Sequence, residues 1–142
     1  MLGKIAIGLC LVCVTTVIQG AFMSTGVRYV EWRVARRGHV RSRIFKELLV
    51  SEFTAWMFIG MLLEALIWAL FYLYNPALTA IPDLETALYF SMVTFTSVGY
   101  GDVVIAGDWR ILASLEGANG VIIFGWTTAL IFYVLQHLYR PR

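Results

Sequence analysis

Composition narrows the class of this protein first. The chain has 142 residues, of which 60% are hydrophobic and only 14% are charged, and its mean hydropathy is +0.77. A soluble domain of this size could not bury that much apolar surface, so a soluble class is excluded. The net charge of +2 is small, but seven of the eleven Lys and Arg residues lie between residues 24 and 47. We therefore predict a small all-α integral membrane protein with a basic cytoplasmic segment.

Three apolar runs are long enough to cross a bilayer as helices, which takes roughly 20 residues each. The first run predicts an N-terminal transmembrane helix within residues 1–23, and a basic loop follows over residues 24–47. The basic stretch 30–48 could form an interfacial amphipathic helix, interrupted at Gly38. The remaining domain, residues 48–142, contains the other two predicted spans, over 48–74 and 110–138. The first run could instead be a cleaved signal peptide, but cleavage would leave the basic segment outside, against the charge rule.

The clustered charge also predicts the orientation of the helices. Because positively charged segments stay on the cytoplasmic side, the basic loop lies inside, the N-terminus outside and the C-terminus in the cytoplasm. This arrangement predicts a multi-pass protein of the cell membrane, either a plasma membrane or a bacterial inner membrane. The lipid bilayer is an expected partner, with anionic lipid at the basic loop, and no nucleic acid is expected.

Residues 82–95 predict a helix that is too short to cross the membrane. Pro82 suits the first helical position, and the acids Asp83 and Glu85 suit the positive N-terminal end. These 14 residues reach roughly 21 Å as a helix, whereas the hydrocarbon is roughly 30 Å thick. The chain must therefore enter the membrane and return on the same side. Non-helical backbone at that depth has to be buried in protein or line a wet cavity.

The segment that ends this helix reads TFTSVGYGD over residues 94–102. It resembles the pore loop of the potassium-channel superfamily, whose filter motif is T-V-G-Y-G followed by Asp. The resemblance covers roughly residues 50–138 and implies an outer helix, a re-entrant pore helix, a selectivity filter at 96–102 and an inner helix that includes GVIIFGWTTA, residues 120–129. It implies a potassium-selective channel that is not an enzyme, with K⁺ as the permeant ion and no cofactor. It also implies a fourfold homotetramer, so that three identical subunits are the partners.

Backbone carbonyl groups of the filter are the implied ligands of K⁺. An ion that loses its water shell needs oxygen dipoles in return, and consecutive carbonyls point to one axis only if the backbone alternates in handedness. Gly99 and Gly101 can adopt a positive φ without a Cβ penalty, and Val98 and Tyr100 then direct their side chains into surrounding protein. The implied filter residues are Thr96, Ser97, Val98, Gly99, Tyr100 and Gly101, with K⁺ held by the carbonyl oxygens of Ser97, Val98, Gly99 and Tyr100 and by the Ser97 hydroxyl.

Ser97 departs from the pattern of the family, which usually has Thr at this position. Serine keeps the hydroxyl group but loses a methyl group and the stiffness of a β-branched side chain. We expect potassium selectivity to survive and the innermost ion site to be looser.

Other candidate residues surround the predicted filter. Tyr89 and Phe90 fall where the family has aromatic residues that brace the filter, and Tyr89 could either donate a hydrogen bond to Asp102 or simply pack. Glu116 and Glu64 are carboxyl groups within predicted spans, where they are costly and rarely face lipid. They predict either proton sensing or a hydrogen-bonded link that holds one helix to another.

The third span carries a hinge candidate and a candidate cavity face. Gly120 falls at, or one residue from, a position that the family uses as a bend for gating, although a small residue also lets helices approach closely. Four residues share one helix face by their spacing and are predicted to line the cavity, although a lipid-facing stripe has the same spacing: Val121, Phe124, Thr128 and Phe132.

Two other functions compete with the channel hypothesis. A non-conducting membrane adaptor or regulatory subunit could keep the pore fold, but the intact GYGD sequence argues against it. A less selective cation channel would be favoured by a changed Tyr100 or a lost glycine, and neither change is present.

Overall fold

The computed structural model describes residues 1–37, 42–78 and 80–139, and its regular structure within these ranges is helical. Residues 38–41 of the predicted loop, and residues 79 and 140–142 of the predicted last domain, lie outside the described residues. The elements are α1 (Leu2–Arg37), α2 (Arg43–Tyr74), α3 (Leu84–Phe95), a 3₁₀ turn (Gly107–Trp109) and α4 (Arg110–Tyr139). α1, α2 and α4 are long and apolar enough to cross a membrane. The predicted all-helical class with three such helices is confirmed.

α1 is longer than the sequence indicated. It has 36 residues, which corresponds to about 54 Å of helix, and it continues through residues 24–37 of the predicted basic loop. Residues 43–47 of that loop belong to α2. The predicted bounds of the loop, 24–47, are therefore too wide, and α1 extends well beyond the roughly 30 Å of a bilayer's hydrocarbon.

The second half of α1 is helical because an apolar face runs along it. Val30 is only 2% exposed, and Val27 and Val34 pack against the same apolar cluster at helical spacing. Gly26 does not interrupt the helix but serves as a contact point, since a Cβ there would lie 2.8 Å from Phe53 Cε2. The cluster of arginines could not distinguish a loop from a helix, and the side of the membrane on which it lies stays a prediction.

The first residues of α2 and α3 also differ from the predicted ones, whereas both helices end where they were predicted to end. Ser42 caps α2 by accepting a hydrogen bond from the Phe45 amide, so that α2 begins earlier than predicted. Asp83 caps α3 in the same way by accepting from the Thr86 amide at 2.8 Å. Pro82 consequently lies before the cap of α3 and not at the first helical position.

α1 packs against both α2 and α4 of its own chain. It runs antiparallel to α2, because Gly26 of α1 lies against Phe53 of α2 whereas the later Gly60 lies against the earlier Phe22. Its N-terminal half lies beside the N-terminal half of α4. The first turns of α1 and α4 are therefore at the same end of the bundle as the loop that follows α3.

Two apolar clusters hold the helices together. One of them fixes α3 between α2 and α4 and includes Trp68, Tyr72, Phe90, Phe95 and Leu112. The other joins α1, α2 and α4 near the basic end and includes Val30, Phe53, Met57, Val134 and Leu138. The first cluster is what positions the end of α3, and with it the start of the predicted filter.

Gly120 lies where α4 passes closest to the end of α3. A Cβ on Gly120 would overlap the carbonyl oxygen of Phe95, and a Cβ on Gly117 would lie 3.4 Å from the carbonyl oxygen of Thr94. α4 itself is one continuous helix. The structure thus gives a packing reason for glycine at this position, and the hinge role of Gly120 stays a prediction.

Gly120→Ala is expected to destabilise the protein by about 1–3 kcal/mol, because the added methyl group forces the contact between α3 and α4 apart. Thermal unfolding in detergent, followed by circular dichroism, should show a lower melting temperature than that of the wild type. Gly125→Ala is the matched control, since Gly125 lies on the same helix and a Cβ there meets nothing within 4 Å. Equal melting temperatures for the two variants would contradict the close-contact explanation.

Candidate functional site

The last turn of α3 is completed by the loop that follows it. The amides of Ser97 and Gly99 donate to the carbonyl oxygens of Thr94 and Val93, at 2.9 and 3.0 Å. The Thr96 hydroxyl donates to another carbonyl oxygen of this turn at 2.7 Å. These bonds satisfy carbonyl groups that every helix end leaves open, and they fold the start of the loop back onto α3.

The loop alternates in backbone handedness. Its φ is positive at Ser97 (59°), Gly99 (53°) and Gly101 (79°), and it is not positive at the intervening Val98 and Tyr100. Alternating handedness is the backbone pattern that a row of carbonyl groups facing one axis requires. Among the described residues, no hydrogen bond outside the helices ends on the carbonyl oxygens of residues 97–100. The positive φ expected at the two glycines is present, and the positive φ of Ser97 was not foreseen.

Two apolar side chains of the loop, Val98 and Tyr100, are only partly covered by the described residues of their own chain. Val98 is 53% exposed and Tyr100 is 72% exposed. The protein surroundings predicted for these two side chains would therefore have to come from another molecule.

Tyr89 ties the end of the loop to α3. Its hydroxyl donates to Asp102 Oδ2 at 2.7 Å. This hydrogen bond holds the pKa of Asp102 below its ordinary value, and it raises the pKa of Tyr89, whose proton it retains. Phe90 faces elsewhere, with its ring packed edge-on against Tyr72 at a centroid distance of 5.2 Å. Of the two predicted filter braces, Tyr89 therefore makes the direct contact with Asp102.

A family profile described as an ion channel matches residues 54–137, which is more than half of the chain. The chain belongs to this ion-channel family. The match contains α3, the loop and most of α2 and α4, and it confirms the recognition of a potassium-channel-type pore domain from the GYGD motif.

One relative is the calcium-gated potassium channel TvoK of Thermoplasma volcanium, which is 40% identical to the chain over 58 residues. The aligned part is 40% of this chain and 17% of TvoK, so the similarity concerns a small part of that protein. No solved structure matched the chain.

Glu116 joins three helices of the ion-channel domain. The Tyr72 hydroxyl of α2 donates to Glu116 Oε2 at 2.7 Å, and the Ser91 hydroxyl of α3 is hydrogen-bonded to Glu116 Oε1. The Ser91 hydroxyl also lies 2.7 Å from the Ala65 carbonyl oxygen of α2. The side chains of Tyr72, Ser91 and Glu116 are all fully buried, so these bonds link α2, α3 and α4 out of contact with solvent.

The charge of the Glu116 carboxyl depends on which of two oxygens receives the Ser91 proton. The Ser91 hydroxyl has one proton and two oxygen partners, of which the Ala65 carbonyl can only accept. When Ser91 donates to Ala65, its bond to Glu116 needs a proton from the carboxyl group. The structure thus supports the hydrogen-bonded link for Glu116. Glu64 is also fully buried, but neither of its carboxyl oxygens has a hydrogen-bond partner among the described residues.

The cavity-lining candidates of α4 do not share one environment. Phe124 is half-buried and its ring centroid lies 6.2 Å from that of Phe95. Val121, Thr128 and Phe132 are exposed on the single chain. Such exposure suits a cavity, a lipid face and a contact between subunits, so the assignment to a cavity stays a prediction.

Tyr89→Phe is expected to raise the pKa of Asp102 toward its ordinary value, because the phenol no longer donates to the carboxylate. A lowered pKa means that ionised Asp102 stabilises the fold above the ordinary Asp pKa, and that this contribution is lost as pH falls through the lowered value. The stability of the variant should therefore depend less on pH in the acid range than that of the wild type.

The Asp102 titration can be followed by NMR of ¹³C-labelled Asp carboxyl groups in detergent. Tyr74→Phe is the control, because Tyr74 is 79% exposed. This substitution should leave the titration of Asp102 as in the wild type. An unchanged Asp102 pKa in Tyr89→Phe would show that the hydrogen bond does not form in solution.

Tyr72→Phe is expected to cost about 1–3 kcal/mol of unfolding free energy, because it leaves Glu116 Oε2 buried without its donor. Combining it with Glu116→Gln gives a double-mutant cycle, and the coupling between the two sites should be about 0.5–3 kcal/mol. The unfolding free energy of all four proteins is measured in the same detergent. Strictly additive effects would argue against a bond between these two side chains.

Proposed function

We propose that the chain is one subunit of a potassium-selective channel that lets K⁺ cross a membrane passively. The observation that carries the proposal is the loop after α3, where alternating φ leaves four consecutive carbonyl oxygens without hydrogen bonds in the described chain. Membership of the ion-channel family supports it, as does the partial similarity to a protein named as a potassium channel. The calcium gating in that name is not carried over, because the aligned part is a small share of the relative.

The carbonyl oxygens would replace the water that surrounds K⁺ in solution. A dehydrated ion needs several oxygen dipoles at once, and a row of carbonyls facing one axis supplies them at successive levels. Residues 97–100 give four such levels on one chain. The Ser97 hydroxyl adds a ligand at the inner end, where the missing methyl group of Thr would leave the site looser. K⁺ is the cargo here, and no chemical step is involved.

The loop of one chain supplies only one side of such an axis. Fourfold symmetry with three identical subunits would close the ring of carbonyls. Val98 and Tyr100, which the chain itself leaves uncovered, would then be buried against neighbouring subunits. The exposed face of α4 would line the cavity below the ring, with Gly120 as the place where α4 could bend.

α3 suits the role of a re-entrant pore helix. Its 12 residues reach about 18 Å, which is less than the hydrocarbon thickness of roughly 30 Å. Its negative C-terminal end lies next to the loop and would favour a cation in the cavity. The bond from Tyr89 to Asp102 would brace the outer end of the filter.

The proposed orientation places the N-terminus outside the cell and the C-terminus in the cytoplasm. Lys4 Nζ forms an ion pair with Asp108 Oδ2 at 3.0 Å, so the N-terminus of α1 lies at the filter end. The opposite end carries the basic residues of α1 and α2, which should lie inside and contact anionic lipid in the cell membrane.

Potassium flux into liposomes tests the proposal. The purified protein is reconstituted, and K⁺ uptake down a gradient is measured with and without Ba²⁺ as a blocker. Gly99→Ala should reduce the flux at least about tenfold, because alanine in the left-handed region costs roughly 1–2 kcal/mol in every subunit. Gly107→Ala is the matched control: Gly107 also has a positive φ of 66° and also lacks neighbours within 4 Å of a Cβ, but it lies outside the filter. This control should conduct.

The two competing functions give different results in the same assay. Equal uptake of Na⁺ and K⁺ would favour the less selective cation channel. A purified oligomer without flux at any pH would favour the non-conducting adaptor. Full flux in Gly99→Ala would contradict the role given to the filter backbone.

A further inference from the structure

We propose that the interface between α1 and the rest of the chain contains a proton-binding site on Glu64, and that the neutral carboxyl keeps α1 docked. The site belongs to a row of polar side chains that we call the α1 seam: Thr15, Gln19, Glu64, Asn119 and Thr127. Each of them is at most 8% exposed. The seam is separate from the filter, and the proposal holds whether or not the chain conducts K⁺.

Two hydrogen bonds tie α1 to α4 in the seam. Asn119 Nδ2 donates to Thr15 Oγ1, and Gln19 Nε2 donates to Thr127 Oγ1, both at 2.8 Å. The two amide groups keep one oxygen each, and Gln19 Oε1 and Asn119 Oδ1 are buried without a partner among the described residues. With the two oxygens of Glu64, the buried atoms without a partner among the described residues are four acceptors and one donor, the indole N–H of Trp68 one turn after Glu64 on α2, so acceptors outnumber donors at the seam.

Glu64 lies at the level of these two amide oxygens. A Cβ on Gly60 would be 3.3 Å from Gln19 Oε1, and Glu64 follows Gly60 by four residues, which is one turn along the same face of α2. Because α1 and α2 are antiparallel, this turn brings Glu64 level with residues 15–19 of α1. Both carboxyl oxygens are buried and unpartnered in the described chain, so the surplus of acceptors includes them.

The surplus of acceptors indicates what the site binds. A buried carboxylate without a cation or a donor is costly within a membrane, and neither carboxylate nor amide oxygens can donate. One proton on Glu64 removes the charge and supplies a donor for an amide oxygen of the seam. A proton is also the only ligand that needs no additional space between packed helices.

In the part of the chain that the structure describes, no charged side chain takes the place of that proton. The charged and titratable groups nearest the seam on the surrounding helices are Lys4, Cys10, Cys13 and Arg28 on α1, Glu52 and Tyr72 on α2, Glu85 on α3, and Glu116 and Tyr133 on α4. Lys4 is paired with Asp108, Arg28 and the two cysteines are exposed, and Glu116 is bonded to Tyr72 and Ser91. Among the described residues, none of these groups is bonded to Glu64.

Proton binding and docking of α1 are linked through this site. Loosening of the seam lets water reach the Glu64 carboxyl, which favours its ionised form. The docked state therefore holds the proton more tightly, and docking weakens as pH rises, by up to about tenfold per pH unit for one proton.

Infrared titration of the purified protein measures the proton directly. At neutral pH the wild type should show the carbonyl stretch of the protonated Glu64 carboxyl. Glu64→Gln should lose this contribution, and Glu31→Gln, at an exposed position of α1, should keep it. An undiminished signal in Glu64→Gln would overturn the proposal.

Disulfide trapping measures the docking of α1. Gly8→Cys combined with Leu115→Cys places two Cβ atoms 3.7 Å apart, which is a favourable spacing for a disulfide. Leu115→Cys also removes Leu115 Cδ1, the carbon that would crowd a side chain at position 8. The exposed Cys10 and Cys13 are replaced by Ser in this background. Trapping rates are compared at each pH with and without Glu64→Gln, so that the pH dependence of thiol chemistry cancels in the ratio.

We expect trapping of the Glu64 protein to fall behind that of Glu64→Gln as pH rises, by up to about tenfold per pH unit. A ratio that stays constant with pH would overturn the link between the proton and docking. Glu116→Gln distinguishes the two carboxyl groups, and it should leave the pH dependence of trapping in place. Loss of that dependence in Glu116→Gln would assign the proton effect to Glu116 and also refute the proposal.

Discussion

The Glu116 carboxyl lies where α2, α3 and α4 meet, and the position of the loop after α3 depends on this junction. α3 has only 12 residues, too few to be fixed by crossing the bilayer, so side-chain contacts must fix it between the two long helices. The bond between Ser91 and Glu116 does so in its middle, and the contact of Gly120 with the Phe95 carbonyl does so at its end. The loop starts one residue after that contact. A displacement of α4 is therefore transmitted directly to the base of the loop.

α1 is attached to this ion-channel domain in a different way. It lies outside residues 54–137, the range that matches the family. Between helices in a membrane, apolar contact alone gives little specificity, because lipid tails are as apolar as the side chains. Close contacts at Gly8, Gly26 and Gly60 and the polar α1 seam supply the specificity instead. Such an attachment depends on few groups, and for this reason the charge state of one carboxyl can matter to it.

Hydropathy was sufficient to predict the three long helices, and a motif was sufficient to predict the potassium-channel-type pore domain. The length of α1 was missed because the arginine-rich segment was interpreted as a loop or a separate interfacial helix, although Val27, Val30 and Val34 carried a helical period that continues from the first helix. The junction at Glu116 was predicted only as one of two alternatives. Its partners are 25 and 44 residues away in sequence, and contacts across three helices leave no spacing pattern in a single sequence.

Ser97 shows why the loop needs more than its own chain. A left-handed conformation costs a residue with a Cβ roughly 1–2 kcal/mol, and in return Ser97 gains the 2.9 Å bond from its amide to the Thr94 carbonyl. That bond contributes about 0.5–1.5 kcal/mol, which offsets the cost at best. Beyond this residue the described residues offer the loop neither hydrogen-bond partners for the carbonyl oxygens of residues 97–100 nor cover for Tyr100. In the proposed channel, neighbouring subunits would supply the cover and K⁺ would supply the partners, so that the ion is both the cargo of the filter and part of what holds its backbone in place.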